Sequence, residues 1–465
     1  MDANKSSNPN YKKNTVQKQR SAEITIFWII GCGLLLRAFY IILTQGHYFQ
    51  NDIGALQEGN LGHLGYIYYI WDNGKLPDVD PMISYQFYHP PLHYIIAAIF
   101  LKVFTVFGGD IAQGDEALQF LSLFYSGVLL VYLNKIAKHM KLSLTGRYVA
   151  MAFAAFLPFS VMMSGALNND LLMITLSVMC VYYIFSWYEK TNYKNMILAA
   201  VCLGCAMMTK ISAALLVPGI AILMLIKTWK NFDEIKKVLL QLLCFGVISV
   251  PLGMWFPILK HIKYGTPFGF IPAMAETAEQ FIGQYSKWQR LFDFKGGFDS
   301  ITLSWSRNET YMDHNIWTSL VKFAVTGEGY NVEANRVIEA VAHMSFYMTL
   351  ALLIIMVIAA VAYMICVKQP WHIKIFYGVT IVVSMASYIS FCFRYPHICT
   401  MHIRYVMTIL YMGMLMFGGA VSLIDVKKVK FSARTVKIIK GSVIGIMTFY
   451  MLITCLLYVN LEMLL

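Results

Sequence analysis

Charge is what this sequence is short of. Only 13% of its 465 residues are Asp, Glu, Lys or Arg, about half the roughly 25% usual in soluble domains. A chain that is 58% hydrophobic, with a mean hydropathy of +0.58, cannot hide its apolar surface in one aqueous core. Soluble enzymes and soluble binding modules are thereby excluded. Acidic residues are the scarcer sign, 25 against 37 Lys and Arg, for a net charge of +12. That excess does not point to nucleic acid, because no basic face interleaves with stacking aromatics. The Lys and Arg fall in short segments between apolar runs, as the positive-inside rule expects. Nucleic acid is set aside as a partner, and membrane lipid is the solvent.

Other absences narrow the class further. The nine cysteines form no disulfide framework. Cys202 and Cys205 sit inside an apolar run beside Gly204 and Ala206, as small helix-packing residues do; Cys392 and Cys399 flank a short loop across which they could pair. No small-residue cleavage site follows the first apolar run, which therefore reads as an uncleaved first span rather than a signal peptide. No internal repeat relates the two halves, which counts against an inverted-repeat transporter.

What the sequence does contain is a series of apolar segments, approximately 24–44, 92–107, 117–134, 145–163, 170–187, 195–209, 211–227, 236–258, 341–366, 373–392, 403–423 and 440–462. About 20 such residues span a bilayer as a helix. Lys-rich connections at 135–147, 190–194, 227–237, 368–374 and 427–440 belong on the cytoplasmic side with the polar amino-terminal tail. The segments 45–91 and 259–340, and short links near 168 and 394–404, then lie outside. Three apolar segments separate the tail from the basic stretch at 135–147, and three full crossings would put those two on opposite sides. Segment 92–107 is the weakest of the three: it is short, follows two prolines and ends in Gly108-Gly109-Asp110. A re-entrant or interfacial hairpin fits it better. The expected fold is an all-α polytopic membrane protein with about eleven transmembrane helices and two larger external loops. Its parts are a cytoplasmic tail (1–23), a catalytic transmembrane module (24–258) containing the first external loop (45–91), a second external loop (259–340) and carboxy-terminal helices (341–465).

The polar residues worth weighing lie on the external side. Asp52 comes a few residues after the first span, Glu58 soon follows, and the loop closes with Tyr88-His89-Pro90-Pro91-Leu92-His93. A partly desolvated carboxylate at Asp52 can act as a general base toward an acceptor hydroxyl; taken alone it reads equally as a solvated loop aspartate. Pro90-Pro91 stiffens the chain and fixes Tyr88 and His89 at the mouth of the next segment. There His89 could bind a phosphate, a sugar hydroxyl or a metal, or be a satisfied interfacial histidine. Asp78-Val79-Asp80 matches a metal-holding DxD pattern, but Pro77 and Pro81 make it look like a turn. Asn168-Asn169-Asp170 interrupts the apolar sequence at an external helix end, and Lys210 separates two apolar runs. A lysine at that depth is costly in lipid and suggests function, with snorkelling as the bland alternative. Arg394, His397, His402 and Arg404 crowd the last external turn, where two arginines against the charge rule suggest an anion to be held.

In this order and at these depths the motifs resemble the large membrane glycosyltransferases of the C-type fold, in the branch of the protein O-mannosyltransferases and the lipid A aminoarabinose transferases. The matching features are the acidic residue after the first span (Asp52), the aromatic-x-Pro-Pro-Leu motif (Tyr88 to Leu92), the Asn-Asp-Leu-Leu turn (Asn169 to Leu172) and the Thr-Lys turn (Thr209-Lys210). The similarity covers roughly residues 24–260. It implies transfer of a sugar from a polyprenyl-phosphate carrier to a protein, lipid or cell-wall glycan acceptor on the outer face of a bacterial plasma membrane. It casts Asp52 as the catalytic residue, sets His89 where the aminoarabinose branch has a phosphate-binding lysine, and matches Asp170 to an important aspartate; Glu58, Tyr88, His89, Asn169 and Asp170 are the candidates for acceptor or donor binding. Lys210 matches a lysine near the lipid phosphate; Arg394, Arg404 and His402, by their charge at the last external turn, join it as candidate lipid-phosphate ligands. Tyr88 stands where the aminoarabinose branch has a metal-binding glutamate, so a divalent metal is doubtful and no cofactor is assigned. The loop 259–340 is too short for the sugar-binding module of the eukaryotic mannosyltransferases, though Tyr285, Trp288, Trp305, Tyr311 and Trp317 could stack on sugar or acceptor or form a loop core. A lipid-phosphate leaving group needs positive charge rather than a proton, and direct attack would invert the anomeric centre. Two other classes remain open. A transporter or flippase of a lipid-linked or anionic substrate would also want external cations. A membrane scaffold would not need the charged residues to converge.

Overall fold

The computed structural model describes residues 9–46, 62–83, 86–305, 311–328, 336–425 and 432–459. Among them the secondary structure is helical, apart from one isolated bridge between Phe281 and His397. The helices are α1 (Pro9–Leu43), α2 (His63–Asn73), α3 (Leu92–Val106), α4 (Gly114–His139), α5 (Leu144–Phe156), α6 (Pro158–Met162), α7 (Asp170–Glu189) and α8 (Tyr193–Thr209). They continue with α9 (Val217–Lys230), α10 (Ile235–Tyr264), α11 (Lys287–Phe292), α12 (Ile316–Val325), α13 (Arg336–Cys366), α14 (Trp371–Arg394), α15 (Met407–Val421) and α16 (Ala433–Val459).

The basic connections meet at one end of the bundle. Glu23 on α1 pairs with Lys138 at 2.6 Å and with Arg147 at 2.8 Å, which brings the start of α1 to the α4–α5 turn. His139 lies 3.4 Å from Glu189, Tyr188 stacks on His372 at 3.8 Å, Lys230 sits over Trp371, and Gln369 donates to the Met140 carbonyl. Lys440 pairs with Asp425. Opposite lies the end that holds Asp170 and Lys210. Between the two ends the chain runs along α1, α4, the α5–α6 pair, α7, α8, Ile211–Lys230, α10, α13, α14, α15 and α16.

Among the described residues, nine helices are long and apolar enough to cross a membrane by themselves, or ten with the bent α5–α6 pair counted as one span, against the expected eleven or so. The remaining apolar segments have physical reasons to fall short. α8 has 17 residues, because Lys210 leaves it in an extended conformation (φ −156°, ψ 124°), yet it still joins the two ends. α3 does not. A Cβ on Gly46, just past α1, would lie 3.2 Å from the Asp115 backbone at the start of α4, so the chain returns after residue 46 to the end it left. With only residues 107–113 between α3 and α4, there is no length for α3 to cross and come back. It packs beside α2 instead, with Lys102 over the Trp71 ring.

Pro158 explains the 61° bend between α5 and α6. Proline has no N–H to offer the Ala154 carbonyl, and a bare carbonyl in the membrane interior is costly. Arg37 on α1, 1% exposed, reaches across to it: Nη2 donates to Ala154 O at 3.5 Å, and Nη1 donates to Ala155 O at 2.5 Å and Gly33 O at 2.9 Å. α5 meets α15 through glycines, since a Cβ on Gly146 would fall 2.2 Å from the Gly418 carbonyl. Small residues at such crossings let helices pack in lipid without a hydrophobic driving force.

Candidate active site

α7 and α8 are tied together where their ends meet. Asn168 Oδ1 accepts from the Asp170 N–H at 3.0 Å and opens α7. Asn169, wholly buried, donates through Nδ2 to the Thr209 carbonyl at 2.9 Å. This clasp places Lys210 Nζ 2.5 Å from Asp170 Oδ1. Arg404 arrives from the turn Ile403–Val406, whose start is held by His402 Nδ1 accepting the Arg404 N–H at 3.1 Å. Arg404 Nε stands 4.0 Å from Asp170 Oδ2, and Nη2 donates to Tyr405 Oη at 3.1 Å. Lys210 Nζ also lies 5.3 Å from the centre of the Tyr405 ring. Two cations therefore share one carboxylate whose side chain is only 4% exposed, a grouping that low local dielectric makes strong.

These residues line a cavity of about 220 Å³, with Tyr88, His89 and His63 on another wall. His89 is buried. Its ring stacks on His63 at 5.4 Å, and His63 Nδ1 lies 2.7 Å from Tyr94 Oη. Burial pushes the His89 imidazole well below its ordinary range, and the charges of Lys210, His63 and Arg404 push it further. It is neutral at pH 7. A third wall, with Phe256, Pro257, Phe270 and Met173, is apolar.

Of the residues singled out in sequence, Tyr88, His89, Asp170, Lys210 and Arg404 line this cavity, and Asn169 clasps its floor. Arg394 is exposed at the end of α14, with its guanidinium 5.6 Å from the Tyr395 ring, and does not line the cavity. His402 is buried between Phe323 at 4.1 Å and Phe159 at 4.8 Å, so it shapes the Arg404 turn from behind. Asp52 and Glu58 lie outside the described residues. The Asp78-Val79-Asp80 motif forms a turn. Asp78 accepts from Tyr264 Oη at 2.7 Å and pairs with Lys263, which holds its carboxyl below the usual range. Asp80 Oδ1 accepts from Met82 N at 2.8 Å. No disulfide joins Cys392 to Cys399; Cys392 Sγ donates to the Thr400 carbonyl at 3.3 Å instead. Among the described residues no group of three His, Cys, Asp or Glu side chains is placed to hold a metal. His63 was not singled out in sequence; it follows Gly62 at the start of α2, ahead of the aromatic stretch, and no spacing marks it. Tyr388 and Tyr405 also line the cavity and carry no mark in the sequence, hidden among many other aromatics.

The sequence model of the dolichyl-phosphate-mannose-protein mannosyltransferase family matches residues 88–255, which include Tyr88, His89, Asp170 and Lys210. Among solved structures, ArnT from Cupriavidus metallidurans in the apo state superposes with a TM-score of 0.51 at 11% identity, over 96% of this chain and 78% of that one. This chain has the C-type glycosyltransferase fold. The archaeal oligosaccharyltransferase AglB from Archaeoglobus fulgidus gives a TM-score of 0.48 at 9% identity, over 94% of this chain and 56% of that one, so this chain spans just over half of AglB. No curated protein matches by sequence. The C-type fold brings the Asn-Asp and Thr-Lys turns to one mouth, and Arg404, from outside the matched segment, completes the cluster.

Proposed function

We propose that the chain is a membrane glycosyltransferase that moves a sugar from a polyprenyl-phosphate donor to an acceptor hydroxyl at the outer face of a bacterial plasma membrane. The observation that carries this reading is the meeting of Lys210 and Arg404 on the two oxygens of buried Asp170 at the wall of one cavity. With His89 neutral, the cluster carries two positive charges against one negative. It is preorganised for a single phosphate anion, and Asp170 keeps its cations from drifting apart.

The chemistry follows from the donor. An acceptor oxygen attacks the anomeric carbon while the carbon–oxygen bond to phosphate breaks, and the bonding pair leaves with the phosphate. Lys210 and Arg404 meet the growing charge there, His89 offers the phosphate a neutral hydrogen bond, and Asp52 takes the acceptor proton. One displacement inverts the anomeric centre. The prenyl tail lies along the apolar wall of Phe256, Pro257 and Phe270. The outer-face assignment rests on the basic connections gathering at the opposite end of the bundle. ArnT, the structure superposed above, has also been determined bound to undecaprenyl phosphate, which supports this class of donor. The acceptor is a protein, a lipid or a cell-wall glycan.

Undecaprenyl phosphate titrated onto purified protein in nanodiscs, followed by native mass spectrometry, tests this reading. Lys210→Met should weaken binding about tenfold, the loss of one charge-assisted hydrogen bond of about 1.5 kcal/mol. Equal binding by wild type and Lys210→Met would remove the cluster from donor recognition.

A further inference from the structure

The second external loop holds a groove of about 690 Å³, separate from the donor cavity and bordered by Tyr285, Asp293, Lys295, Asp299, Tyr311 and His314. Its size falls within the ~300–1,000 Å³ range of small-ligand sites. Its wall is built rather than accidental. Asp293 Oδ1 accepts the Lys295 N–H at 3.1 Å, which fixes the carboxylate and turns Oδ2 toward His314. Gly296 takes φ +77°, and a Cβ there would fall 2.7 Å from the Tyr311 ring, so the turn lies flat against that aromatic. Tyr285 stacks on His314 at 4.0 Å with an interplanar angle of 7°.

His314 is the informative residue. It is 5% exposed, and its Nδ1 lies 2.9 Å from the Met312 carbonyl. A carbonyl can only accept, so Nδ1 carries the hydrogen, and in the neutral ring Nε2 is an acceptor. That Nε2 makes no hydrogen bond among the described residues and faces Asp293 Oδ2 across 3.7 Å. With the ring neutral, two acceptors face each other there, and a ligand that donates hydrogen bonds would join them.

The groove is also tethered to the donor cavity. Ile282 N donates to Pro396 O at 2.8 Å and Ile398 N to Gln280 O at 3.0 Å, which straps the groove's rim to the segment leading into Arg404. On its other side, Asp313 and Lys322 form a wholly buried ion pair at 2.9 Å that roots α12. From α12, Phe323 stacks on His402 behind the Arg404 turn.

We infer that this groove binds the acceptor, and that the acceptor is a carbohydrate whose hydroxyls donate to His314 Nε2 and Asp293 while its ring face lies against the aromatic wall. A sugar hydroxyl supplies the missing donor, and CH-rich sugar faces suit aromatic rings. A cationic peptide fits less well, because Lys295 stands at the same rim as the two aspartates. The inference rests on the glycosyltransferase reading but can fail separately from it. The test is saturation-transfer NMR of the full-length protein in micelles with methyl hexosides, pentosides and N-acetylhexosaminides, run beside undecaprenyl phosphate binding. At least one glycoside should show transfer that is lost in Asp293→Ala and in the rim variant Asp299→Ala, with undecaprenyl phosphate binding kept within twofold. In the transfer reaction, the same variants should raise the acceptor KM about tenfold at unchanged kcat. The inference is overturned if no glycoside binds, if both variants bind glycoside as wild type does, or if only a lysine-rich peptide binds and salt abolishes it. Loss of undecaprenyl phosphate binding in wild type would instead strike the donor reading and leave the groove result standing.

Discussion

Replacing Lys210 by Met puts a number on the cluster. The ammonium lies 2.5 Å from Asp170 Oδ1, and the carboxylate is almost completely enclosed. Removing one partner of a buried pair typically costs about 3–5 kcal/mol, because a charge is left uncompensated. Here the remaining cation softens the loss. Arg404 at 4.0 Å still contributes about 4 kcal/mol of attraction at an effective dielectric near 20, so the cost should fall near the lower bound, about 3 kcal/mol. Asp170→Asn should cost a similar amount, since Lys210 and Arg404 then face each other with no anion between them. The double variant removes both halves of the pair and should be less destabilised than the sum by about 2 kcal/mol. The assay is equilibrium unfolding of purified protein in mixed micelles by a denaturing detergent, for wild type, both single variants and the double. Additivity within about 0.5 kcal/mol would show that Lys210 and Asp170 are not energetically joined, and the preorganised anion site would lose its basis.

Further outcomes are expected from the same structure. Arg37→Leu should lower unfolding stability by about 1–3 kcal/mol, because the carbonyls at the Pro158 break lose their donor; an unchanged melting temperature would mean that those carbonyls are satisfied in another way. His89 is held below its ordinary range in the folded state. Below pH about 6.5 the unfolded chain gains a proton that the folded chain refuses, so stability should fall as the pH drops from 6.5 toward 5. His89→Gln should flatten that slope, and an identical slope in the variant would contradict the burial argument. Asp78→Asn with Asp80→Asn should leave sugar transfer within twofold of wild type, since both carboxylates are committed to a turn; a large loss would reinstate the motif as a ligand site.

Much of this was legible in the sequence because lipid imposes simple rules. Charge scarcity and apolar run lengths gave the helices, and the Lys-rich links between them gather at one end of the bundle. The parity of those links marked 92–107 as the odd segment, and α3 indeed stays at one end. The Asn-Asp and Thr-Lys turns could be paired only through the family resemblance, since 40 residues separate Asp170 from Lys210 and nothing local joins them. Arg394 and Arg404 looked equivalent in sequence. The turn built by His402 sends one into the cavity, while the helix end leaves the other in solvent. His402 itself reads like a ligand by type and turns out to be packed between two phenylalanines. His63 had no signal, because its partner Tyr94 is distant in the chain; of the groove, the sequence offered Tyr285 and Tyr311 but not His314 or Asp293, whose pairing depends on how the loop folds.

The central claim is sugar transfer from a prenyl phosphate, and the direct measurement follows label from a polyprenyl-phosphate sugar into acceptor with purified protein in nanodiscs, comparing wild type with Asp52→Asn. Transfer by wild type and none by the variant, with identical unfolding curves for the two, is the predicted result. Equal transfer by both proteins would dismiss Asp52 as the base. No transfer by wild type with any polyprenyl-phosphate sugar, together with uphill movement of a lipid-linked substrate in vesicles, would contradict the account outright.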